Sequence, residues 1–149
     1  MNTNIAWLAG IMEGEGSFFI AHQQRSQTDQ IRATITMSNT DPGLVNKALQ
    51  VFEEIGTPLY LHEYKNKKGS TRPVFEMSTA QQSKVKTICE ALIPYMFGEK
   101  KAKAEILLRF VNNRLAKGKG NYDSEDWQVF RESRSSTTTR EAAAAEDIV

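Results

Sequence analysis

Two carboxylates separated by a single glycine lie near the start of the chain, in Glu13-Gly14-Glu15. The preceding residues favour a short helix, so both acids fall at its carboxyl end, where the helix dipole disfavours negative charge. A bound cation would offset that cost, and carboxylate oxygens are the ligands that hard divalent metals prefer. The alternative is an ordinary turn with two solvated acids. The positions alone leave both interpretations open.

Small residues recur along the same helix. Ala6, Gly10 and Gly14 are spaced by four, so they share one helical face. Glycine inside a helix costs up to about 1 kcal/mol relative to alanine, so its presence asks for a reason. Close approach of another helix backbone is such a reason. The pattern therefore predicts a bare ridge suited to helix packing.

The elements that must position these residues follow from the hydrophobic pattern. Gln30 to Met37 alternates, with apolar side chains on one face and polar side chains on the other, which predicts a half-buried strand. The same reasoning predicts helices at 5–13, 42–55, 81–92, 99–116 and 125–132, with strands at 17–25, 30–37, 58–64 and 71–78. This order predicts an α+β domain: one antiparallel sheet with helices on one face and a polar opposite face.

Composition narrows the function classes. The 149 residues suit one compact domain, which we assign to 1–140, with an alanine-rich tail at 141–149 that is either helical or disordered. The single cysteine, Cys89, lies in an apolar helical pattern that predicts a buried side chain and excludes a cysteine-rich zinc site. No apolar run approaches the roughly 20 residues of a membrane span. We expect an intracellular protein, whether organellar, bacterial or phage-encoded.

Charge is unevenly distributed despite a formal net charge of +1. Lysine and arginine predominate in 63–86 and 99–119, whereas acids cluster in 41–54 and 123–132. Such segregation is typical of a protein with one basic face, as nucleic-acid binding requires, and also of an unevenly charged solvated surface.

The motif residues themselves are the most specific signal. Leu8-Ala-Gly-Ile-Met-Glu-Gly-Glu-Gly16, followed by Ser17-Phe18, resembles the signature of the LAGLIDADG homing endonucleases, with Glu in place of Asp at both acidic positions. The predicted element order also matches that family's αββαββα core, with a saddle-shaped sheet, and the resemblance extends from Ile5 to Arg140. It implies a site-specific endonuclease that uses divalent metal to hydrolyse both strands of a long double-stranded DNA target.

Only one motif is present, and the resemblance then implies a homodimer that acts on a pseudo-palindromic target. Two motif helices would pack against each other along the ridge of Ala6, Gly10 and Gly14. Membrane association is not expected.

The resemblance also implies roles for particular residues. Glu15 matches the metal-binding catalytic acid, and Glu13 matches the second acid, for which we expect a structural role. Asn39 aligns with the polar residue that orders active-site water. Lys100 aligns with the basic residue that supports the transition state, with Lys101 as the alternative if the register differs by one. The implied cofactor is Mg²⁺ or Mn²⁺, with Ca²⁺ supporting binding without cleavage.

The polar sheet face is implied to read the major groove. Its predicted DNA-binding residues are Phe19, Ala21, Gln23, Arg25, Gln27, Gln30, Arg32, Thr34, Thr36, Arg72, Val74 and Glu76. The third strand stays open, since its alternation could expose Tyr60, His62 and Tyr64. Three alternatives remain: an intron maturase that binds RNA, a non-catalytic DNA-binding protein of the same fold, and an unrelated α+β binding module.

Overall fold

The elements follow one another as helix, two strands, helix, two strands and then helices, as the hydrophobic pattern predicts. The computed structural model describes residues 2–25, 28–65, 72–118 and 122–134. The bounds are α1 Thr3–Glu15, β1 Gly16–Arg25, β2 Thr28–Asn39, α2 Pro42–Glu54, β3 Tyr60–Lys65, β4 Pro73–Thr79, α3 Gln82–Leu92, a 3-10 turn Ile93–Tyr95 and α4 Glu99–Lys117. A further helix, α5, covers residues 124–134. This order confirms the predicted α+β fold.

Some predictions fall outside the described residues. Gln27, the side chain of Arg25 and the tail at 141–149 are among them, so their assignments stay predictions. Among the described helices, none is long and apolar enough to cross a membrane.

Both hairpins join a single antiparallel sheet whose strand order is β1-β2-β4-β3. Gly16 lies opposite Met37, and Met37 lies opposite Met77 on β4, so the two hairpins are joined through the central strands β2 and β4. Directly opposed residues of antiparallel strands project to the same face. This register therefore decides which side chains share the polar surface.

The core lies between the inner sheet face and the helices α1 to α4. The predicted alternation on β2 is confirmed, because Ile31, Ala33, Ile35 and Met37 are each at most 2% exposed. Leu8 and Met12 of α1 are fully buried in the same cluster. Burying large apolar side chains contributes roughly 1.5–3 kcal/mol each, so this layer fixes the position of the motif helix against the sheet.

Cys89 lies inside this core, as predicted. Burial, with a smaller effect of the Glu90 charge, raises the pKa of its thiol from 9.0 to about 12. A thiol that stays protonated at neutral pH is a poor nucleophile, so Cys89 acts as a small apolar side chain.

The ends of α1 differ from the prediction. The helix begins at Thr3 because the Oδ1 atom of Asn2 accepts hydrogen bonds from the backbone N–H groups of Asn4 and Ile5, at 3.0 and 3.3 Å. Asn2 is therefore the N-cap, and the helix begins two residues before its predicted start. The predicted end at Glu13 was wrong, since the helix continues to Glu15 and the chain becomes extended only at Gly16.

Helix α5 is fixed to α4 by a buried polar cluster. The fully buried Asp126 carboxylate accepts hydrogen bonds from Asn113 Nδ2 at 2.7 Å and from Arg114 Nη1 at 3.2 Å. The guanidinium of Arg114 also lies 4.3 Å from the ring centroid of Tyr122. Buried ions are stable only when paired in this way, so the cluster holds α5 in one orientation.

Candidate active site and nucleic-acid interface

Glu15 is the last residue of α1, and its side chain is exposed. Gly16, which follows it, is buried, and a Cβ atom there would lie 2.5 Å from the Met12 side chain and 2.8 Å from the Met12 carbonyl oxygen. Only glycine fits at this junction, where α1 passes directly into β1. Among the described residues, the Glu15 carboxylate has no hydrogen-bond or ion-pair partner.

Glu13 joins the same end of α1 to the start of α4. Its Oε1 atom accepts hydrogen bonds from the backbone N–H groups of Phe97 and Gly98, at 2.7 and 2.5 Å. Gly98 is the N-cap residue of α4, and no side chain of its own segment caps that helix. Lys100 and Lys101 lie in the first turn of α4, both half-buried. The predicted lysine and the motif acids therefore lie at adjoining helix ends.

Asn39 is the last residue of β2. Since Gly16 lies opposite Met37, β2 runs two residues past the start of β1, toward the end of α1. The Oδ1 atom of Asn39 accepts a hydrogen bond from the Asp41 backbone N–H at 2.8 Å. Within the described chain, its Nδ2 group makes no hydrogen bond. The fold thus brings Glu15, Asn39 and Lys100 to one end of the sheet.

The donor set at this end suits a hard cation. The exposed Glu15 carboxylate sits at the negative end of the α1 dipole, where a divalent metal would relieve unfavourable charge. Elsewhere in the described ranges, no group of three His, Cys, Asp or Glu side chains could hold a metal ion. One chain thus offers Glu15 as a single carboxylate ligand.

Most of the predicted reading residues lie together on the outer sheet face. Phe19 is opposite Thr34, Ala21 is opposite Arg32, and Gln23 is opposite Gln30, with Ser17 and Thr36 forming the next pair. The neighbouring residues Phe18 and Ile20 are buried on the inner face. Arg32 Nη2 donates a hydrogen bond to Gln30 Oε1 at 2.9 Å, which orders the two side chains as a unit.

The second hairpin continues this face. Its register shows which residues of the third strand lie on the outer face, a point that the sequence left open. Tyr64 is opposite Val74, His62 is opposite Glu76, and Tyr60 is opposite Ser78. The predicted Val74 and Glu76 therefore share the outer face with the three β3 residues, and Arg72 is exposed just before β4. Sequence reasoning missed Ser78, although the two-residue period from Val74 and Glu76 would have found it.

Glu76 and Tyr64 interact across the second hairpin. The Tyr64 hydroxyl donates a hydrogen bond to Glu76 Oε2 at 3.3 Å. Desolvation, followed by the charge and hydrogen bond of Glu76, raises the pKa of Tyr64. The protonated hydroxyl adds a hydrogen-bond donor to those that glutamine, arginine, serine and threonine side chains give this face.

Comparison with protein families agrees with this geometry. The family model described as "LAGLIDADG endonuclease" matches residues 8–127, from the motif on α1 into α5. The chain belongs to the LAGLIDADG endonuclease family. This is a family of DNA-binding nucleases, and the resemblance read from the motif is confirmed. No match was found among curated protein sequences.

Solved structures of LAGLIDADG proteins share the fold. An archaeal intron-encoded homing endonuclease, I-Vdi141I, bound to DNA, gives a TM-score of 0.65 at 12% identity, over 90% of this chain and 84% of that one. I-GzeII bound to its DNA target gives 0.65 at 16% identity, over 89% of this chain and 43% of that one. I-CvuI bound to its target with Ca²⁺ gives 0.60 at 20% identity, over 88% and 75%.

A second I-CvuI complex, with Mg²⁺ and uncleaved DNA, gives a TM-score of 0.57 at 22% identity. The alignment covers 74% of this chain and 66% of that one, so the chain spans just under two thirds of that relative's length. At these identities the similarity concerns the fold.

The motif helix of this LAGLIDADG protein presents a bare face to solvent. Gly10 and Gly14 are exposed, and a Cβ atom at either would meet nothing within 4 Å. Ala6 is half-buried, whereas Leu8 and Met12 pack into the core on the other side of the helix. The side chain of Phe97, beside the end of α1, is 90% exposed. The predicted ridge therefore has no covering element among the described residues.

Proposed function

We propose that the protein is a site-specific homing endonuclease that acts as a homodimer and hydrolyses both strands of a long pseudo-palindromic DNA target. The observation that carries this proposal is the exposed Glu15 carboxylate, which has no partner among the described residues and lies at the same end of the sheet as Asn39 and Lys100, beside a polar outer face. Family membership and the DNA complexes of I-CvuI and I-Vdi141I support it.

Glu15 would hold Mg²⁺ or Mn²⁺, together with oxygen ligands from DNA phosphate, water and the second subunit. Such a metal activates water and neutralises charge on the reacting phosphate. We propose that Ca²⁺ supports binding without cleavage. The I-CvuI complexes, obtained with Ca²⁺ and with Mg²⁺ and uncleaved DNA, support divalent metal use.

Asn39 and Lys100 would act on either side of the reacting phosphate. The Nδ2 group of Asn39 makes no other hydrogen bond in the described chain, so it can hold the attacking water by donating to it. The Lys100 ammonium, on the first turn of α4, would donate to the phosphate oxygens as negative charge develops there. Lys101 is the alternative for this role.

The homodimer rests on the uncovered face of α1. Backbones can approach closely where Gly10 and Gly14 leave space, and a two-fold axis along this ridge would bring two copies of Glu15 near each other. Phe97, exposed beside the same helix end, would be covered by the second subunit. Each cleaved strand would then receive a carboxylate from the dimer centre.

The outer sheet face would read the major groove. Gln23, Gln30 and Arg32 offer donors and acceptors that suit adenine and guanine edges. Glu76 offers an acceptor that suits the cytosine amino group, and Tyr60, His62 and Tyr64 extend the face along β3.

The test is cleavage of a library of randomised duplexes in Mg²⁺, with sequencing of the cut ends. We expect cuts in both strands at a pseudo-palindromic site. Glu15→Gln keeps the shape of the side chain but removes its charge, so we expect at least about 100-fold slower cleavage with retained DNA binding in Ca²⁺. Cleavage by Glu15→Gln at the wild-type rate would refute the metal role, and tighter binding to a folded intron RNA than to any duplex would favour the maturase.

A further inference from the structure

The two acids of the motif have opposite surroundings although only Gly14 separates them. Glu15 is exposed and without a partner in the described chain, whereas one oxygen of Glu13 accepts two short hydrogen bonds from the backbone of a segment more than 80 residues away. The backbone groups concerned belong to Phe97 and Gly98, at the start of the helix that carries Lys100.

Glu13 binds the chain where it enters α4, at the N–H groups of Phe97 and of the N-cap residue. In a capping box, an acidic or amide side chain at the third helical position accepts from the N-cap N–H, and in α4 that position holds Lys101. The N-cap of α4 is Gly98, which has no side chain. A Cβ atom on Gly98 would lie 3.3 Å from Glu13 Oε1, so the glycine also leaves room for the carboxylate.

We infer that Glu13 is a positioning residue for the cleavage reaction: it caps α4 from α1 and thereby holds Lys100 in place relative to Glu15. This inference rests on the proposed function. Glu13 and Glu15 leave α1 within one helical turn, so a contact from Glu13 to the start of α4 fixes the lysine to the helix that carries the metal ligand. Misplacement by about 1 Å can cost on the order of 100-fold in rate.

The two acids should therefore respond differently to the same substitution. Glu13 acts as a hydrogen-bond acceptor through one oxygen, and the amide oxygen of glutamine can accept the same two bonds. Glu15 acts through its charge, which glutamine lacks. Aspartate at position 13 is one methylene shorter, so it would not reach Phe97 and Gly98.

The experiment compares Glu13→Ala, Glu13→Asp and Glu13→Gln in single-turnover cleavage with Mg²⁺, and in DNA binding with Ca²⁺. We expect Glu13→Ala and Glu13→Asp to cleave at least about tenfold more slowly, with DNA affinity within about threefold of wild type. Glu13→Gln should keep cleavage within about threefold of wild type, whereas Glu15→Gln should cleave at least about 100-fold more slowly.

Asn2→Ala is the matched control. Asn2 also accepts two backbone N–H groups at a helix start, at the far end of α1 from Glu15. It should lower the melting temperature about as much as Glu13→Ala does, while leaving the cleavage rate unchanged.

Hydrogen–deuterium exchange of residues 97–103 gives a second measurement that does not depend on cleavage. Faster exchange there in Glu13→Ala, but not in Asn2→Ala or Glu13→Gln, supports the cap. Unchanged exchange in Glu13→Ala overturns it, as does a Glu13→Gln variant as inactive as Glu13→Ala. If the wild-type protein cleaves no duplex, the proposed function is refuted. The hydrogen–deuterium exchange measurement would still test whether Glu13 caps α4.

Discussion

At the scale of single residues, the two acids at the end of α1 have different surroundings. Glu15 is exposed and has no partner among the described residues, whereas Glu13 binds the start of α4. Gly16 leaves no space for a side chain where the helix becomes a strand. A shorter side chain at Glu13 would lose the contact with α4, and any side chain at Gly16 would collide with Met12.

The basic residue can be assigned by paired substitutions. Lys100→Ala should slow cleavage about 100- to 1,000-fold, because a fixed cation facing developing charge contributes on that order. DNA affinity should fall much less. Single-turnover rates of Lys100→Ala and Lys101→Ala, measured side by side, decide which lysine acts. A larger loss of cleavage rate in Lys101→Ala would assign the catalytic role to Lys101. Equal small losses in both variants would show that neither lysine has this role.

At the scale of elements, burial decides how much a strand's sequence reveals. The two-residue period on β2 predicted both of its faces, because every inner residue from Ile31 to Met37 is buried. Strand β3 is exposed along its whole length, so its alternation left the faces open, and pairing with β4 assigns Tyr60, His62 and Tyr64 to the outer face. The register between two strands depends on both of them, so the sequence pattern of one strand does not determine it.

Local sequence patterns predicted only part of the candidate site. The motif predicted Glu15, and the four-residue spacing of small residues predicted the bare helix face that contains Gly10. The contact from Glu13 to Phe97 and Gly98 joins segments distant in the chain, so no local sequence pattern predicts it. Asp126 was read as one of several acids in a charged segment, yet it is fully buried, because its partners Asn113 and Arg114 come from another helix.

The outer face predicts base-specific effects. Arg32→Ala should relax preference at particular base pairs of each half-site, by about 1–3 kcal/mol of discrimination, since a bidentate contact to a base edge contributes that much. The check is cleavage of target variants that differ at single positions. A uniform loss at all positions would instead assign Arg32 to phosphate contact, and an unchanged profile would remove it from the interface.

The buried cluster predicts how α5 contributes to stability. Asp126→Ala removes a fully buried carboxylate together with its ion pair to Arg114 and its hydrogen bond from Asn113, which should lower the free energy of unfolding by about 3–5 kcal/mol. Urea denaturation measures this change. Glu132→Ala is the control on the same helix, because its contact with Arg109 is far more exposed and should contribute about 1 kcal/mol or less. Equal losses in the two variants would contradict the role given to the cluster.

At the scale of the whole molecule, α1 serves both the chain and the proposed dimer. Its inner side, with Leu8 and Met12, completes the core, and none of the described residues covers its outer side at Gly10 and Gly14. The site lies where these two roles meet, at Glu15. A second subunit on the free side would double the site without changing the fold of either chain.

Substitution of Gly10 tests the dimer without disturbing the subunit. A Cβ atom there would meet none of the described residues within 4 Å, so Gly10→Leu should fold and even gain up to about 1 kcal/mol from helix propensity. The same side chain would hold two α1 helices apart. Sedimentation should give a dimer for wild type and a monomer for Gly10→Leu, with cleavage lost. A wild-type protein that sediments as a monomer with and without DNA would refute the proposed assembly.

The pleat of the first hairpin has a consequence for how such a protein changes its target. Along the middle of β1 and β2, the outer residues Phe19, Arg32 and Thr34 alternate with buried residues that project to the opposite face. Exposed substitutions usually alter stability by no more than about 0.5 kcal/mol. New base preferences can therefore accumulate one position at a time on an unchanged scaffold, and retargeting by design or by drift need not pass through unfolded intermediates.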